Sequence, residues 1–189
     1  MRAQLETYYE AKFAPRQDQV TAALKLVRVY EELLAENEAP EAEKLPLVLL
    51  AQFGCGMGKS VIESLLAKHL AAQDPHAKVL VCAPAEWVSY QLSEHFRSTR
   101  IISQIQKSSG IFLIEHLGLD KLAEEELRET IIIADEVDIL LKDSNLMAKA
   151  LQARALIGLS ATLGGRQGLE LYQDYFKDAA RCKWVSPAE

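Results

Sequence analysis

The chain has 189 residues, 49% of them apolar and 25% charged, with a formal net charge of -6. That is enough for one compact domain with a sizeable core. No apolar run approaches the roughly 20 residues of a membrane-spanning helix, and the acidic balance argues against the basic footprint of an autonomous nucleic-acid binder. Cys55, Cys82 and Cys182 have neither the spacing of a zinc site nor that of a disulfide framework, and Arg2, Glu6, Glu10 and Lys12 interrupt the apolar residues at the start of the chain. A cytoplasmic protein without membrane insertion is the expectation.

Residues 2–35 read as two helices broken at Pro15, the second carrying Val20, Ala23, Leu24, Val27, Tyr30 and Leu34 at helical spacing. Residues 35–44 are acidic, contain Pro40 and read as a solvated loop. From Leu45 onward the pattern changes. Apolar runs at 47–53, 78–82, 111–114, 130–134, 155–159 and 182–185 are predicted strands, the last an edge strand. They alternate with predicted helices at 59–72, 87–96, 117–128, 144–153 and 167–176. Such alternation predicts an α/β fold with a mainly parallel central sheet covered on both faces. The expected organisation is an N-terminal helical extension and loop, 1–44, joined to a lobe, 45–189, in one compact body.

The run at 47–53 leads into Gly54-Cys55-Gly56-Met57-Gly58-Lys59-Ser60 and then an amphipathic stretch, the strand–loop–helix context of a phosphate-binding loop. Glycines permit the tight turn that aims backbone N–H groups at an anion, and the helix start adds its positive dipole end. Lys59 is placed to neutralise the β- and γ-phosphates of ATP or ADP, and Ser60 to offer its hydroxyl to Mg2+. The longer G-x-x-x-x-G-K-[ST] pattern needs glycine where this chain has Phe53, leaving the shorter G-x-G-K-[ST] form. Cys55 reads as a small residue filling space in the loop.

The run at 130–134 ends in Asp135-Glu136-Val137-Asp138, which puts carboxylates at the carboxyl edge of a buried strand, where ligands of open α/β sheets bind. Beside a phosphate loop, Asp135 is a candidate Mg2+ ligand and Glu136 the candidate base for the water that attacks the γ-phosphate. For Glu136 and Asp138 the competing reading is an acidic helix start favoured by the macrodipole.

With their flanking stretches, these residues resemble superfamily 2 helicases and the related SecA-type protein-translocation ATPases across nearly the whole chain. Pro15-Arg16-Gln17-Asp18-Gln19 is similar to the adenine-reading Q-type motif of those families. The resemblance implies that Gln19 forks onto the base edge, Arg16 supports the loop and Phe13 stacks on adenine. The stretch 83–91 stands where the families carry a track-contacting motif, and Ser160-Ala161-Thr162 resembles the S-A-T motif that couples the ATP site to lobe movement. All five stretches follow the families' order.

The resemblance implies a P-loop NTPase lobe of the RecA-like three-layer kind. It would bind Mg2+ and ATP or ADP, use Lys59 and Glu136 in catalysis, and act slowly until a second RecA-like lobe, in cis or in trans, supplies arginines. Its track would be nucleic acid or unfolded polypeptide. Asp135 to Asp138, followed by Ile139, Leu140 and Leu141, look more like SecA, whereas Ser160-Ala161-Thr162 and the mere 21 residues between Asp138 and Ser160 lean toward helicases. Three readings stand: the motor lobe of a helicase-like ATPase, the motor lobe of a SecA-like translocase, and a non-catalytic nucleotide-binding interaction module.

Overall fold

The computed structural model describes residues 15–74, 76–85, 101–102 and 110–186. The expected first helix, Phe13, most of the stretch at 83–91 and the expected helix at 87–96 lie outside the described residues.

Seven strands form one sheet: β1 (Leu47–Gln52), β2 (Lys78–Ala83), β3 (Ile101–Ile102), β4 (Gly110–Glu115), β5 (Thr130–Asp135), β6 (Ala155–Ser160) and β7 (Arg181–Val185). Their order is β3-β4-β2-β5-β6-β1-β7 and every pairing is parallel. β7 is the expected edge strand. Parallel strands covered on both faces should be apolar on both, and β2, β5 and β6 are buried along their whole length.

Successive side chains alternate between two cores. Leu47, Leu49 and Ala51 of β1, Ile131 and Ile133 of β5, and Ile157 and Leu159 of β6 face a core shared with α1 (Gln17–Glu38) and α2 (Lys59–Gln73). Val48, Leu50, Ile132, Ala134 and Leu156 face the opposite core. That side is covered by a 3₁₀ helix (His116–Lys121), α3 (Glu124–Arg128), α4 (Val137–Leu140), α5 (Ser144–Ala150) and α6 (Gly165–Phe176). The result is the three-layer α/β sandwich of a RecA-like lobe.

α1 belongs to that core. Val20, Ala23, Leu26, Val27, Tyr30 and Leu33 are buried against α2 and the sheet. Leu24 and Leu34, expected on the buried stripe, sit at its margin, because the stripe runs through 26 and 33. The helix continues to Glu38, so the acidic loop begins later than its composition suggests.

The expected helix at 117–128 is two pieces. Leu119 and Leu127 are both buried, but Leu122 and Ala123 are extended, and the Glu126 carboxylate accepts the Ala123 N–H at 3.0 Å, starting a new helix. α5 begins where expected, its first N–H groups capped by Asp143 Oδ1, which accepts from Asn145 and Leu146 at 3.0 Å each. β3 and α4, of two and four residues, were not foreseen.

Candidate functional site

β1 delivers the glycine loop to the carboxyl edge of the sheet. The Phe53 N–H donates to Ser160 O at 3.0 Å, one further ladder step, and the Phe53 ring is buried in the α1–α2 core. This explains the departure from the longer glycine pattern: position 53 is a core position. Beyond it Gly54, Cys55 and Gly56 are exposed. Gly56 and Gly58 have φ of 80° and 75°, conformations in which a Cβ is strained, and Gly58 is the N-cap of α2. Lys59 and Ser60 open that helix with partly exposed side chains, so free amides and the positive end of α2 face the loop.

The Q-type residues are fastened to the back of this loop. The Arg16 N–H donates to Gln19 Oε1 at 2.9 Å, while Gln19 Nε2 and an Arg16 guanidinium nitrogen donate to Met57 O at 3.0 and 3.1 Å. Gln19 is buried, and a Cβ on Gly58 would collide with its carboxamide. Asp18 grips Arg16 through both carboxylate oxygens at 3.1 Å.

β5 delivers the acids. Asp135 ends the strand, nearly buried, and its Oδ1 accepts the Glu136 N–H at 3.0 Å. Glu136, alone among the described non-glycine residues, has a positive φ, 47°. That left-handed turn swings its carboxylate back across the sheet edge, where Oε1 lies 2.9 Å from Lys59 Nζ. Val137 then packs on β6 where Gly158 has no side chain; a Cβ there would lie 2.5 Å from Val137 Cγ2.

β6 runs between β1 and β5, pairing Gln52 with Ser160 and Asp135 with Leu159. Ser160 therefore sits level with both halves of the site. Its Oγ is 2.5 Å from Asp138 Oδ1, 3.2 Å from Glu136 Oε2, and 3.1 Å from the Thr162 N–H. A hydroxyl has one proton, so Ser160 donates to Asp138 and accepts from Thr162. Ala161 is half-buried and Thr162 exposed, its Oγ1 3.3 Å from Ser160 Oγ. Gln52 Oε1 accepts the Gly165 N–H at 2.8 Å, tying the end of β1 to the start of α6.

Charge is concentrated here. Burial works against the Lys59 ammonium, yet Glu136, with Asp135 and Glu63 behind it, outweighs burial and holds its pKa above the usual lysine value. Burial and the neighbouring Glu136 charge push Asp135 up, with Lys59 opposing. Glu63, fully buried one helical turn after Lys59, is pushed well above the usual carboxylate range by burial and then by Asp135. Burial lowers His116, so the ring is neutral at pH 7 and its Nε2–H donates to Asp135 O at 2.9 Å.

The structure thus gathers Gly54 to Ser60, Asp135, Glu136 and Ser160 along one sheet edge, with Arg16 and Gln19 behind the loop. The sequence reading missed Glu63, His116 and Gln52. Glu63 carried a signal, a charged residue among Ile62, Leu65 and Leu66 on the buried face of α2. No group of three or more His, Cys, Asp or Glu forms a metal cage among the described residues. Mg2+ needs none, since it keeps several waters and takes one or two carboxylates plus phosphate oxygens. Asp135 and Ser60, beside an excess of carboxylate charge, suit that mode of binding.

No family model matches the chain, and no curated protein matches it in sequence. Its fold does have counterparts among solved structures. The UvsW helicase from bacteriophage T4 is 14% identical with a TM-score of 0.60, covering 98% of this chain and 68% of its own. The Sulfolobus solfataricus SWI2/SNF2 ATPase core in complex with dsDNA is 14% identical with a TM-score of 0.61, covering 96% of this chain and 46% of its own. S. cerevisiae Dbp5 bound to RNA and ADP BeF3 is 16% identical with a TM-score of 0.52, covering 94% of this chain and 51% of its own. The chain spans about two thirds of the first protein and about half of the other two, and its fold is the RecA-like lobe they contain. No helix among the described residues is long and apolar enough to cross a membrane.

Proposed function

We propose that this chain is the Mg2+–ATP-binding lobe of a helicase-like ATPase motor, hydrolysing ATP when a second RecA-like lobe closes on it. The observation that carries this reading is the Lys59–Glu136 pair, 2.9 Å apart at the edge where the glycine loop and the acidic strand end converge. In this reading the amides of Gly54 to Ser60 cradle the phosphates, Lys59 leaves Glu136 for the β- and γ-phosphates, and Glu136 becomes free to orient and deprotonate water. Ser60 and Asp135 hold Mg2+, which would neutralise charge building on the phosphoryl group. Gln19 and Arg16, with Phe13, contact adenine, and Ser160 to Thr162 transmit the nucleotide state.

Nucleic acid is the favoured track. Dbp5 and the SWI2/SNF2 core, whose lobes share this fold, are bound to RNA and to dsDNA. The acidic chain would then rely on a partner lobe for much of its phosphate contact.

The test is calorimetric titration of ADP and ATP, with and without Mg2+, into the wild-type chain and Lys59→Ala. Mg2+-dependent binding that Lys59→Ala abolishes supports the reading. No binding by the wild type would sink it, in favour of an interaction module. In the two-lobed motor, ATPase stimulated by single-stranded nucleic acid supports the track assignment; stimulation only by unfolded polypeptide overturns it.

A further inference from the structure

The far end of the sheet holds a second concave feature. Lys78 opens β2, Glu129 precedes β5 and Arg154 precedes β6, and these three strands are adjacent in the sheet. With Asp74, His76 and Arg128 they line a cavity of about 500 Å³. It lies at the amino edge, one strand length of about 20 Å from the edge that carries the glycine loop. Ligands of open α/β sheets bind at the carboxyl edge, so the nucleotide reading does not account for it.

The lining is ionic. Lys78, Arg128 and Arg154 stand against Asp74 and Glu129, an excess of one positive charge before His76 is counted, and Ala77 is the one apolar residue among the described lining. The charges are unevenly buried. The Lys78 side chain is 10% exposed, whereas the Glu129 side chain, whose carboxylate lies 3.7 Å from the Lys78 ammonium, is 73% exposed. That separation is beyond hydrogen-bond range, so a nearly buried cation faces an acid held mostly by water. Arg154 is fixed in place: its N–H donates to Thr130 O at 3.0 Å and its Nη1 to Asp74 Oδ2 at 3.2 Å, while Asp74 Oδ1 accepts the His76 N–H at 2.9 Å. Arg128 is largely exposed and leans on Glu124 at 3.6 Å.

We propose that this cavity binds a small polyphosphate anion, gripped by Lys78 and Arg154. A guanidinium held on a fixed backbone offers a planar fork to phosphate oxygens, and an ammonium beside it adds a point charge. The volume falls in the range of small-ligand pockets, about 300–1,000 Å³. With so little apolar lining, charge rather than ring packing selects the ligand. Glu129, on its exposed side chain, yields the Lys78 ammonium to the anion. The inference stands apart from the nucleotide reading, because none of these residues belongs to the carboxyl-edge site.

The experiment follows backbone amide resonances as pyrophosphate is titrated, without Mg2+ and at an ionic strength held constant with chloride. The proteins are the wild type, Lys78→Met, Arg154→Gln and Glu129→Gln. Expected are saturating shifts at the amides of His76, Ala77, Lys78 and Arg154, resolved from any at Gly54 to Ser60. Lys78→Met and Arg154→Gln should each weaken binding at the amino edge by about tenfold or more, as the loss of a hydrogen bond to a charged group does. Glu129→Gln removes a competing carboxylate from the surface, leaves folding undisturbed and should tighten binding by up to about fivefold. A cavity with a merely structural role would show no such gain. Shifts confined to Gly54 to Ser60, shifts at the amino edge that never saturate, or affinity there unaltered in both cation variants overturns the inference. Weaker binding in Glu129→Gln overturns it too, because the acid would then be supporting the site rather than competing for it.

Discussion

Lys59 Nζ and Glu136 Oε1 meet at 2.9 Å, so the groups proposed to bind phosphate and activate water are each other's partners in this structure. Nucleotide must part them. Glu136→Gln removes the carboxylate and leaves Lys59 unengaged. It is expected to keep or tighten ATP binding, by up to about fivefold for a partly exposed pair, while stopping turnover in the two-lobed motor. Calorimetry and a single-turnover assay check the two halves. Weakening as severe as that of Lys59→Ala would instead make Glu136 a metal-binding residue.

Ser160→Ala removes the hydroxyl that links Asp138, Glu136 and Thr162. Among the described residues Asp138 would keep the ion pair with Lys142, at 3.6 Å on an exposed side chain. The expected loss is about 1.5–3 kcal/mol of stability, the range for a hydrogen bond to a charged group, read from urea denaturation. Nucleotide affinity should change by less than about twofold. Coupling is the property at stake: ATPase stimulation by nucleic acid in the two-lobed motor should fall more than its basal rate.

Gly158→Ala places a methyl carbon 2.5–2.8 Å from three Val137 carbons at the root of the acidic turn. The expected cost is about 1–3 kcal/mol, with weakened Mg2+-dependent nucleotide binding as Val137 pushes Glu136 aside. Adding Val137→Ala should restore a large share of both. A double variant no better than Gly158→Ala would mean the acids are held by other contacts.

Gln19→Ala empties the carboxamide that bridges Arg16 N and Met57 O. One of its hydrogen bonds holds the loop at Met57 O and the other caps α1 at Arg16 N, so reading a base edge requires the amide to exchange partners. The variant is expected to lower the melting temperature by a few degrees, as the loss of about 1 kcal/mol does in a chain of this size, and to reduce the preference for ATP over GTP. A lower melting temperature with unaltered base preference would confine Gln19 to bracing the loop.

His69 is buried on α2, and burial lowers its pKa below the ordinary value of 6.5. Between its folded pKa and the unfolded value the unfolded chain binds more protons, so stability rises with pH across that window. The contribution is complete above about pH 6.5 and is lost as pH falls through the folded pKa. His116, also lowered by burial, adds to the same slope. Between pH 7.5 and 5.5, His69→Gln should hold its urea midpoint better than the wild type; Glu63 and Asp135, both raised, act with the opposite sign in the two proteins alike and cancel from that comparison. An unchanged slope in the variant would assign the pH dependence to other groups.

Local pattern made the sheet and the glycine loop legible. Ile131-Ile132-Ile133 leaves little besides a buried strand, and Gly56 with Gly58 marks the positions where the backbone turns left-handed. What escaped depends on distance along the chain. Glu63 and Asp135 lie 72 residues apart and Gln52 and Gly165 lie 113 apart, and only the strand order brings either pair together. β3 is too short to show a period, and the helix at 117–128 breaks because one side chain, Glu126, caps a new start. Phe53 misled in the other direction, since a residue that departs from a binding pattern proved to be a core residue.

β6 between β1 and β5 works as a ruler. The strand ends that carry the loop and the acids stand two strand spacings apart, about 9.5 Å, rather than one. The loop after β1 and the left-handed turn after β5 close that interval from both sides, and the Lys59 and Glu136 side chains complete it at 2.9 Å. Shortening Glu136 to aspartate would draw its carboxylate back by one carbon, about 1.5 Å, and open the contact. The choice of glutamate over aspartate at 136 is therefore a matter of reach before it is one of basicity.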